Sequence, residues 1–313
     1  MRLFTDSSPH IRSTHSTSRI MLDVAVALLP ALAVGILILG LRALWVVLLC
    51  LGTAVVTEGL CSAVLLRRSS LRDGSAIVTG LLLGMTLPHT VPFWLAAAGS
   101  AFAIVISKVL CGGLGQNVFN PALSARALMV LLCPSGMVAY FAPGSDIVTA
   151  ATPLHHMVRP ELPAESLWDL FVGRCSGSIG ELSTLALLLG GGYLMWRKVI
   201  SWRIPTAFLG TVAVLTLLFY KTEDSLLWAA CQLCSGGLML AAFFMATDYA
   251  SSPVTPKGQL LYGVGCGILT VLLRYHGLFP EGITYAILLM NAAAWWIDRH
   301  TAPRRFGDVK EAT

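Results

Sequence analysis

MLDVAVALLPALAVGILILG, residues 21–40, contains a single charged side chain in twenty positions. As a helix rising 1.5 Å per residue it covers about 30 Å, the thickness of a bilayer's hydrocarbon core. A second run, SLLWAACQLCSGGLMLAAFFM at 225–245, is as long and carries no charge. Lipid offers backbone groups no water, so such runs span as helices, and the alternating pattern of a barrel strand is absent. The whole chain has this character. Of its 313 residues 56% are hydrophobic and 12% charged, with mean hydropathy +0.76, whereas soluble domains carry about a quarter charged residues. These values predict an all-α integral membrane protein. The opening MRLFTDSSPHIRSTHSTSRI is polar, and the apolar run behind it is too long for a signal-peptide core, so the first helix is expected to be retained.

Ten hydrophobic crossings are expected, at 21–40, 43–65, 75–92, 93–110, 120–138, 183–196, 204–220, 225–246, 258–274 and 279–297. With the N-terminus inside, fifteen Lys and Arg, Lys108 among them, fall on the cytoplasmic side and five on the other. That bias predicts both termini in the cytoplasm and the 139–182 loop outside. The net charge of +5 is therefore a topology signal rather than a nucleic-acid footprint. The expected units are a cytoplasmic segment 1–20, a five-helix half 21–138, the outer loop 139–182, a second half 183–297 and a cytoplasmic tail 298–313. Halves with an odd number of crossings insert in opposite senses, the inverted repeat of many transporters. VTGLLLGMTLP at 78–88 and GGLMLAAFFMATD at 236–248 resemble each other as repeats would. Only about 21 Å of helix fits between Gly74 and Pro88, so the third crossing is either broken around Pro88 and Pro92 or tilted in a thin bundle.

Charged residues inside spans mark function or buried pairing. Asp23, Glu58 and Arg126 are the candidates, with Glu58 and Arg126 as a possible pair. Of eight cysteines, only Cys175 and Cys133 lie where an outer bridge is plausible, and Cys231-Gln-Leu-Cys234 reads as helix packing. The glycines of Gly263-x-Gly-x-Gly267 suit close helix packing. In CGGLGQNVFNPA (111–122) the glycine spacing matches neither a dinucleotide fingerprint nor a P-loop. Asn117 and Asn120 offer uncharged amides able to bond the polar edge of a neutral ring, while Asn120 before Pro121 also reads as a helix cap.

The outer loop holds DIVTAATPLHH, residues 146–156. Asp146, Thr149 and Thr152 can bond local backbone, Ala150 and Ala151 leave the chain unhindered, and Pro153 fixes φ and biases Thr152 to an extended form. An exposed turn is expected. His155 and His156 read as solvated.

Asp-x-x-Thr-Ala-Ala-Thr closely resembles the flavinylation signature Asp-x-x-Ser/Thr-Gly-Ala-Ser/Thr. Five further blocks, SPHIRSTHSTSRIMLDVAVALLPA, DGSAIVTGLLLGMTLP, GGLGQNVFNPA, FFMATDYASSPVTPKGQLLYG and LRYHGLFPEGITYAILLMN, resemble in order the family of D-type subunits of Rnf electron-transport complexes. The B-type subunit of the sodium-translocating NADH:quinone oxidoreductase is similar, with a longer N-terminal extension. The resemblance implies FMN joined by a flavin transferase through a phosphoester to Thr152, with Ala150 where glycine is commonest. It also implies a non-covalent riboflavin bordered by Asn117 and Asn120. The implied role is one redox station, with no catalytic or metal-binding residue of its own, in a bacterial inner-membrane complex coupling ferredoxin and NAD chemistry to Na+ or H+ movement. Iron–sulfur and second flavin subunits are the implied partners, with lipid around the spans. Two other readings stay open: a secondary transporter or channel without flavin, and a subunit whose flavin site is silent.

Overall fold

The computed structural model describes residues 16–66, 73–137, 140–141, 148–149, 152–158, 162–163, 165–276 and 282–303. Within these the chain is helical: α1 (Thr17–Leu39), α2 (Leu41–Cys61), α3 (Ser75–Thr86), α4 (Phe93–Ile104), α5 (Pro121–Leu132), α6 (Pro134–Met137), α7 (Pro153–Val158), α8 (Leu167–Val172), α9 (Thr184–Trp196), α10 (Arg203–Leu218), α11 (Ser225–Cys234), α12 (Leu238–Leu240), α13 (Pro256–His276) and α14 (Ile283–Thr301). Wider π turns extend α2 over Ser62–Leu66, α4 over Val105–Val109 and α12 over Ala241–Met245. Among the described residues one antiparallel pair of two-residue strands, β1 (Tyr140–Phe141) and β2 (Val148–Thr149), lies in the 139–182 loop.

α1, α2 with its extension, and α13 are long and apolar enough to cross a membrane singly. α11 and α12 with its extension pass the same test as a pair, bent by 62° at the break. The remaining apolar helices, apart from α14, are shorter, between 10 and 17 residues.

Small residues decide how closely the helices cross. A Cβ on Gly190 of α9 would come 2.1 Å from the Ala27 carbonyl of α1, so only glycine lets these two backbones touch. Gly263 and Gly267 of α13 sit against the Ile204 and Phe208 carbonyls of α10 in the same way, as their spacing predicts. The packing repeats between halves: α2 meets α4 as α10 meets α13, α4 meets α5 as α13 meets α14, while α1 meets α9 and α5 meets α14 across the middle.

The third crossing ends early, in a break before α4. α3 ends at Thr86 and Leu87 is extended (φ −89°, ψ 149°). Arg42 Nη2 donates to the Thr90 carbonyl at 3.0 Å within the break, and its guanidinium lies over the Phe93 ring. The eighth crossing, expected to run through 225–246, is broken too. Gly236 and Gly237 both adopt φ +67°, a left-handed conformation that glycine alone takes without strain. Exposed carbonyls at the end of α11 are met by Arg274 of α13, which donates to Gln232 O (2.6 Å), Gln232 Oε1 (2.9 Å) and Ser235 O (2.8 Å).

One buried strap, Ser176–Thr184, ties the two breaks together. Gly180 N donates to Met85 O at 2.7 Å and Ile179 N to Leu87 O at 3.1 Å, satisfying the end of α3. A few residues on, Thr184 Oγ1 donates to Cys234 O at 3.3 Å, at the end of α11.

Candidate functional site

Two regions gather the expected site residues, at opposite ends of α1. Met21, in its second turn, lines one of them. Ile38 and Leu39, in its last turn, pack beside the other. Eighteen residues of helix separate Met21 from Leu39, about 27 Å along the axis.

At the end where α1 finishes lies the described segment 152–158, whose Met157 shares a cluster with Ile38 and Leu39. Asp146, Ala150 and Ala151 fall outside the described residues, as do the side chains of Thr149, His155 and His156. Thr149 belongs to β2, with Tyr140 as its partner across the strands. Thr152 immediately precedes α7, and Pro153 supplies the φ-fixed first residue that helices favour. The expectation of an exposed turn is wrong at its most important position: Thr152 is only 6% exposed. The cause is two residues on. Leu154 is 1% exposed and its Cδ2 lies 2.5 Å from where a Cβ on Gly236 would stand, so it plugs the break between α11 and α12. Met157 enters an apolar cluster with Leu170, Cys175, Leu182, Trp228 and Cys231. Trp228 Nε1 donates to Tyr275 OH at 2.8 Å, and Lys221 sits over the Tyr275 ring. The cysteines stay unpaired, Cys133 and Cys175 included, and Cys231 fills core.

At the other end a cleft of about 730 Å³, counting its open mouth, is bounded by α1, α3, α5, α9 and the Phe243–Tyr249 stretch. Asn117, Asn120, Phe243, Phe244, Asp248 and Lys108 contribute to its wall. The two asparagines separate in role. Asn120 Oδ1 accepts from Ala122 N (3.0 Å) and Leu123 N (3.3 Å), capping α5, while its Nδ2 donates to Met245 O at 3.2 Å. With its amide turned so that both ends are satisfied, Asn291 of α14 accepts from Asn120 N at 3.1 Å. Asn120 is thus a pin between halves. Asn117, 4% exposed, donates to Phe119 O at 3.2 Å and stands nearer to being a ring-binding amide. Only about 70 Å³ of this space is enclosed, less than the few hundred Å³ of an ordinary ligand pocket, so a planar ring would have to lie in the open mouth beside the two phenylalanines and the polar groups. Burial pushes the Asp248 carboxyl up from its ordinary range, against a hydrogen bond from Ser251 Oγ (2.9 Å) that pulls it down.

Glu58 does not pair with Arg126. Lys108 Nζ reaches both Glu58 oxygens at 2.6 and 2.7 Å, with side chains 1% and 3% exposed, and also donates to Ser75 Oγ at 2.5 Å. Ser75 in turn donates to Asp73 Oδ1, which also accepts from Ser75 N at 2.9 Å at the start of α3. Lys108 is therefore a buried partner rather than a solvated end-of-helix charge. Asp23 pairs with Arg197, the residue that caps α9, at 3.2 Å and accepts from Tyr193 OH at 3.1 Å. Arg126 lines a second, much smaller space, of about 10 Å³, together with Glu181, Thr86, Gly236, Gly237 and Thr284. Sequence reasoning missed Lys108, Glu181 and Arg274, and an ionisable residue in an apolar stretch was the available signal for Arg274.

The profile of the NQR2, RnfD, RnfE family matches residues 4–307. The chain is 48% identical over 99% of its length to the D-type subunit of the Na(+)-translocating ferredoxin:NAD(+) oxidoreductase complex of Acetobacterium woodii, covering 97% of that protein. It is 43% identical, over 97% of its length and 96% of the relative, to the D-type subunit of the proton-translocating ferredoxin:NAD(+) oxidoreductase complex of Clostridium ljungdahlii. The D-type subunit of the ion-translocating oxidoreductase complex of Stutzerimonas stutzeri is 39% identical over 93% of the chain and 92% of its own length. A match that runs through both halves, both helix breaks and the loop between them leaves no part of the fold to another origin: the chain belongs to the NQR2, RnfD, RnfE family.

Proposed function

We propose that the chain is the D-type membrane subunit of an ion-translocating complex that moves electrons between ferredoxin and NAD, and that it holds FMN on Thr152. Supporting this is the docking of the Thr152 segment: a hydroxyl residue at the head of α7, fastened to the bundle by Leu154 and Met157. A carrier joined there stays at one end of the molecule through every turnover. When bound, the flavin supplies one- and two-electron chemistry, and the chain supplies position. The Asn117 cleft is the proposed seat of a second, non-covalent riboflavin, with Phe243 and Phe244 along the ring faces and the Asn117 amide at its polar edge. Across about 27 Å of helix the two flavins would not touch, so electrons passing between them need carriers on iron–sulfur and flavin subunits.

In this reading all ten expected crossings span an inner membrane in two inverted halves, 21–138 and 183–297, around the outer loop 139–182, with 1–20 and 298–313 cytoplasmic. The repeated packing of α2 on α4 and α10 on α13, and the two breaks, support it. One relative is named for sodium and another for protons at comparable identity, so the coupling ion is Na+ or H+.

The burial of Thr152 favours one rival, a segment that docks and is never modified. In-gel flavin fluorescence of the denatured chain, coexpressed with a flavin transferase, separates the two. A fluorescent wild-type band lost in Thr152→Ala and weakened in Thr149→Ala supports FMN on Thr152. A dark wild-type band, with the transferase active on another substrate, establishes the silent form.

A further inference from the structure

Helix α9 ends in a turn that glycine usually makes. Val199 N donates to Leu194 O at 2.9 Å and Lys198 N to Met195 O at 3.0 Å, the paired bonds of a left-handed helix terminus. The left-handed residue is Lys198, at φ +57°, and no other described non-glycine residue has a positive φ. A side chain strains that conformation and glycine does not. The turn itself therefore gives no reason for a lysine.

The surroundings of Lys198 do. It lines a half-open pocket of about 630 Å³ between the α9–α10 turn, the Thr247–Val254 stretch and Gln259 of α13. That is the size of an ordinary ligand pocket and far above the space enclosed in the adjoining Asn117 cleft, with which it shares Ile200, Thr247 and Tyr249. Several polar groups of its wall are already engaged: Tyr249 OH donates to Val199 O, Thr247 Oγ1 to Phe243 O and Ser201 Oγ to Gln259 Oε1. Left without an acceptor among the described residues are the Lys198 ammonium, the Trp202 indole N–H and the Gln259 amide N–H groups, all of which can only donate. No carboxylate lines the pocket. The two bonded beside it are occupied, Asp298 by Val254 N, Thr255 N and Thr255 Oγ1, and Asp248 by Ser251 Oγ. Donors around a positively charged space suit an acceptor-rich anion such as a phosphate.

The position of the pocket says which anion. Trp196 and Trp202 are exposed on either side of Lys198, and the Arg203 guanidinium lies over the Trp202 ring. Exposed indoles among basic residues mark the headgroup level of a bilayer, and basic pockets there take anionic lipid. We propose that this pocket holds the phosphate headgroup of an anionic phospholipid from the cytoplasmic leaflet, with Lys198 on the phosphate and the Trp202 and Gln259 N–H groups on its oxygens. Bound there, the headgroup bridges the α9–α10 turn to α13 and braces the Thr247–Val254 stretch, which also walls the Asn117 cleft. The proposal rests on the reading above that places the α9–α10 turn in the cytoplasm, and on neither flavin.

The test uses the whole complex in phosphatidylcholine vesicles doped with phosphatidylglycerol that carries a photoreactive group on its headgroup. The expected result is a crosslink on residues 196–204 or 247–259, competed by unlabelled phosphatidylglycerol but not by phosphatidylcholine, inorganic phosphate or glycerol 3-phosphate. Lys198→Gly is expected to raise the half-saturating phosphatidylglycerol about fivefold, the effect of one basic residue at an anionic membrane surface. Relieved of its strained φ, it melts no lower than wild type. Gln259→Leu weakens the crosslink as well, whereas Lys257→Gln, which removes an equal charge from the first turn of α13 outside the pocket wall, keeps it. Competition by inorganic phosphate or glycerol 3-phosphate as strong as by the lipid overturns the proposal in favour of a soluble anion. Equal losses in Lys257→Gln and Lys198→Gly overturn it in favour of diffuse surface attraction, and unchanged binding by Lys198→Gly overturns it outright. Orientation is read apart, from labelling of Lys198→Cys over wild type by a membrane-impermeant maleimide in inside-out vesicles. Labelling only from the opposite face sinks the orientation reading alone, because the crosslink still reports on the pocket.

Discussion

Leu154 fits onto Gly236 so tightly that a methyl group on the glycine would come 2.5 Å from Leu154 Cδ2. The expected flavin-bearing segment and the break in the eighth crossing are therefore one mechanical unit. Gly236→Ala adds this clash to the strain of a non-glycine residue at φ +67°, about 1–3 kcal/mol. The expected outcome is a lower thermal midpoint with faster hydrogen exchange at 152–158 and 232–240, while exchange in α2 and α4 is unchanged.

Glu58 and Lys108 form a pair closed off from solvent. Removing one partner strands a buried charge, so Glu58→Gln and Lys108→Met are each expected to destabilise by about 3–5 kcal/mol. The double variant Glu58→Gln/Lys108→Met recovers most of that loss. Thermal midpoints of the four proteins check the cycle, and a double variant as unstable as the sum of the singles would sink the account.

Asn117 and Asn120 separate by experiment. Asn120→Ala removes a helix cap and the tie to Met245, with an expected cost of about 1–2 kcal/mol. Asn117→Ala loses the bonds to Phe119 O and to the Asp248 carboxyl, at about 1–3 kcal/mol, and unlike Asn120→Ala it is expected to lower the riboflavin released on denaturation, measured by chromatography. Equal loss of riboflavin in both variants would return Asn120 to the binding role.

Asp248 gives the cleft a pH signature. Its carboxyl titrates above the ordinary value because of burial, so the folded state holds the proton more tightly than the unfolded one. The stability this contributes is full below the ordinary carboxylate pKa and is lost as pH rises through the raised value. Asp248→Asn, which keeps an acceptor for Ser251, is expected to melt higher than wild type at neutral pH and to converge with it in acid. Thermal midpoints across pH 4 to 8 would show a constant gap if the shift were absent.

Arg274 supplies the charged donor that ends α11, beside the Thr184 hydroxyl on Cys234 O. Arg274→Met leaves the Gln232 and Ser235 carbonyls without their donor, at about 1.5–3 kcal/mol for each charge-assisted bond. Arg274→Lys, with a point charge instead of a fork, restores only part. Hydrogen exchange at 232–238 reads both.

Much of the bundle was legible because composition alone makes a span. α1 and α13 lie within a few residues of their expected limits. The break at Ser235–Gly237 was not, since an uncharged run hides a bend, although adjacent glycines after a serine were its signal. Lys108 read as a solvated charge because lysines at the ends of spans usually are, and its partner Glu58 stands fifty residues earlier. Thr152 read as exposed for a similar reason: Leu154 and Met157 anchor to residues that far-off helices bring to them, which local turn chemistry cannot report. The capping role of Asn120 was visible in Asn-Pro itself.

The strap Ser176–Thr184 is bonded to the end of α3 on one side and to the end of α11 on the other. It follows that the two halves are not interchangeable cassettes. A gene cut upstream of Ser176 leaves the second fragment holding the peptide that finishes the first fragment's third crossing, whereas a cut between Gly180 and Thr184 leaves each clasp on the half whose helix it ends.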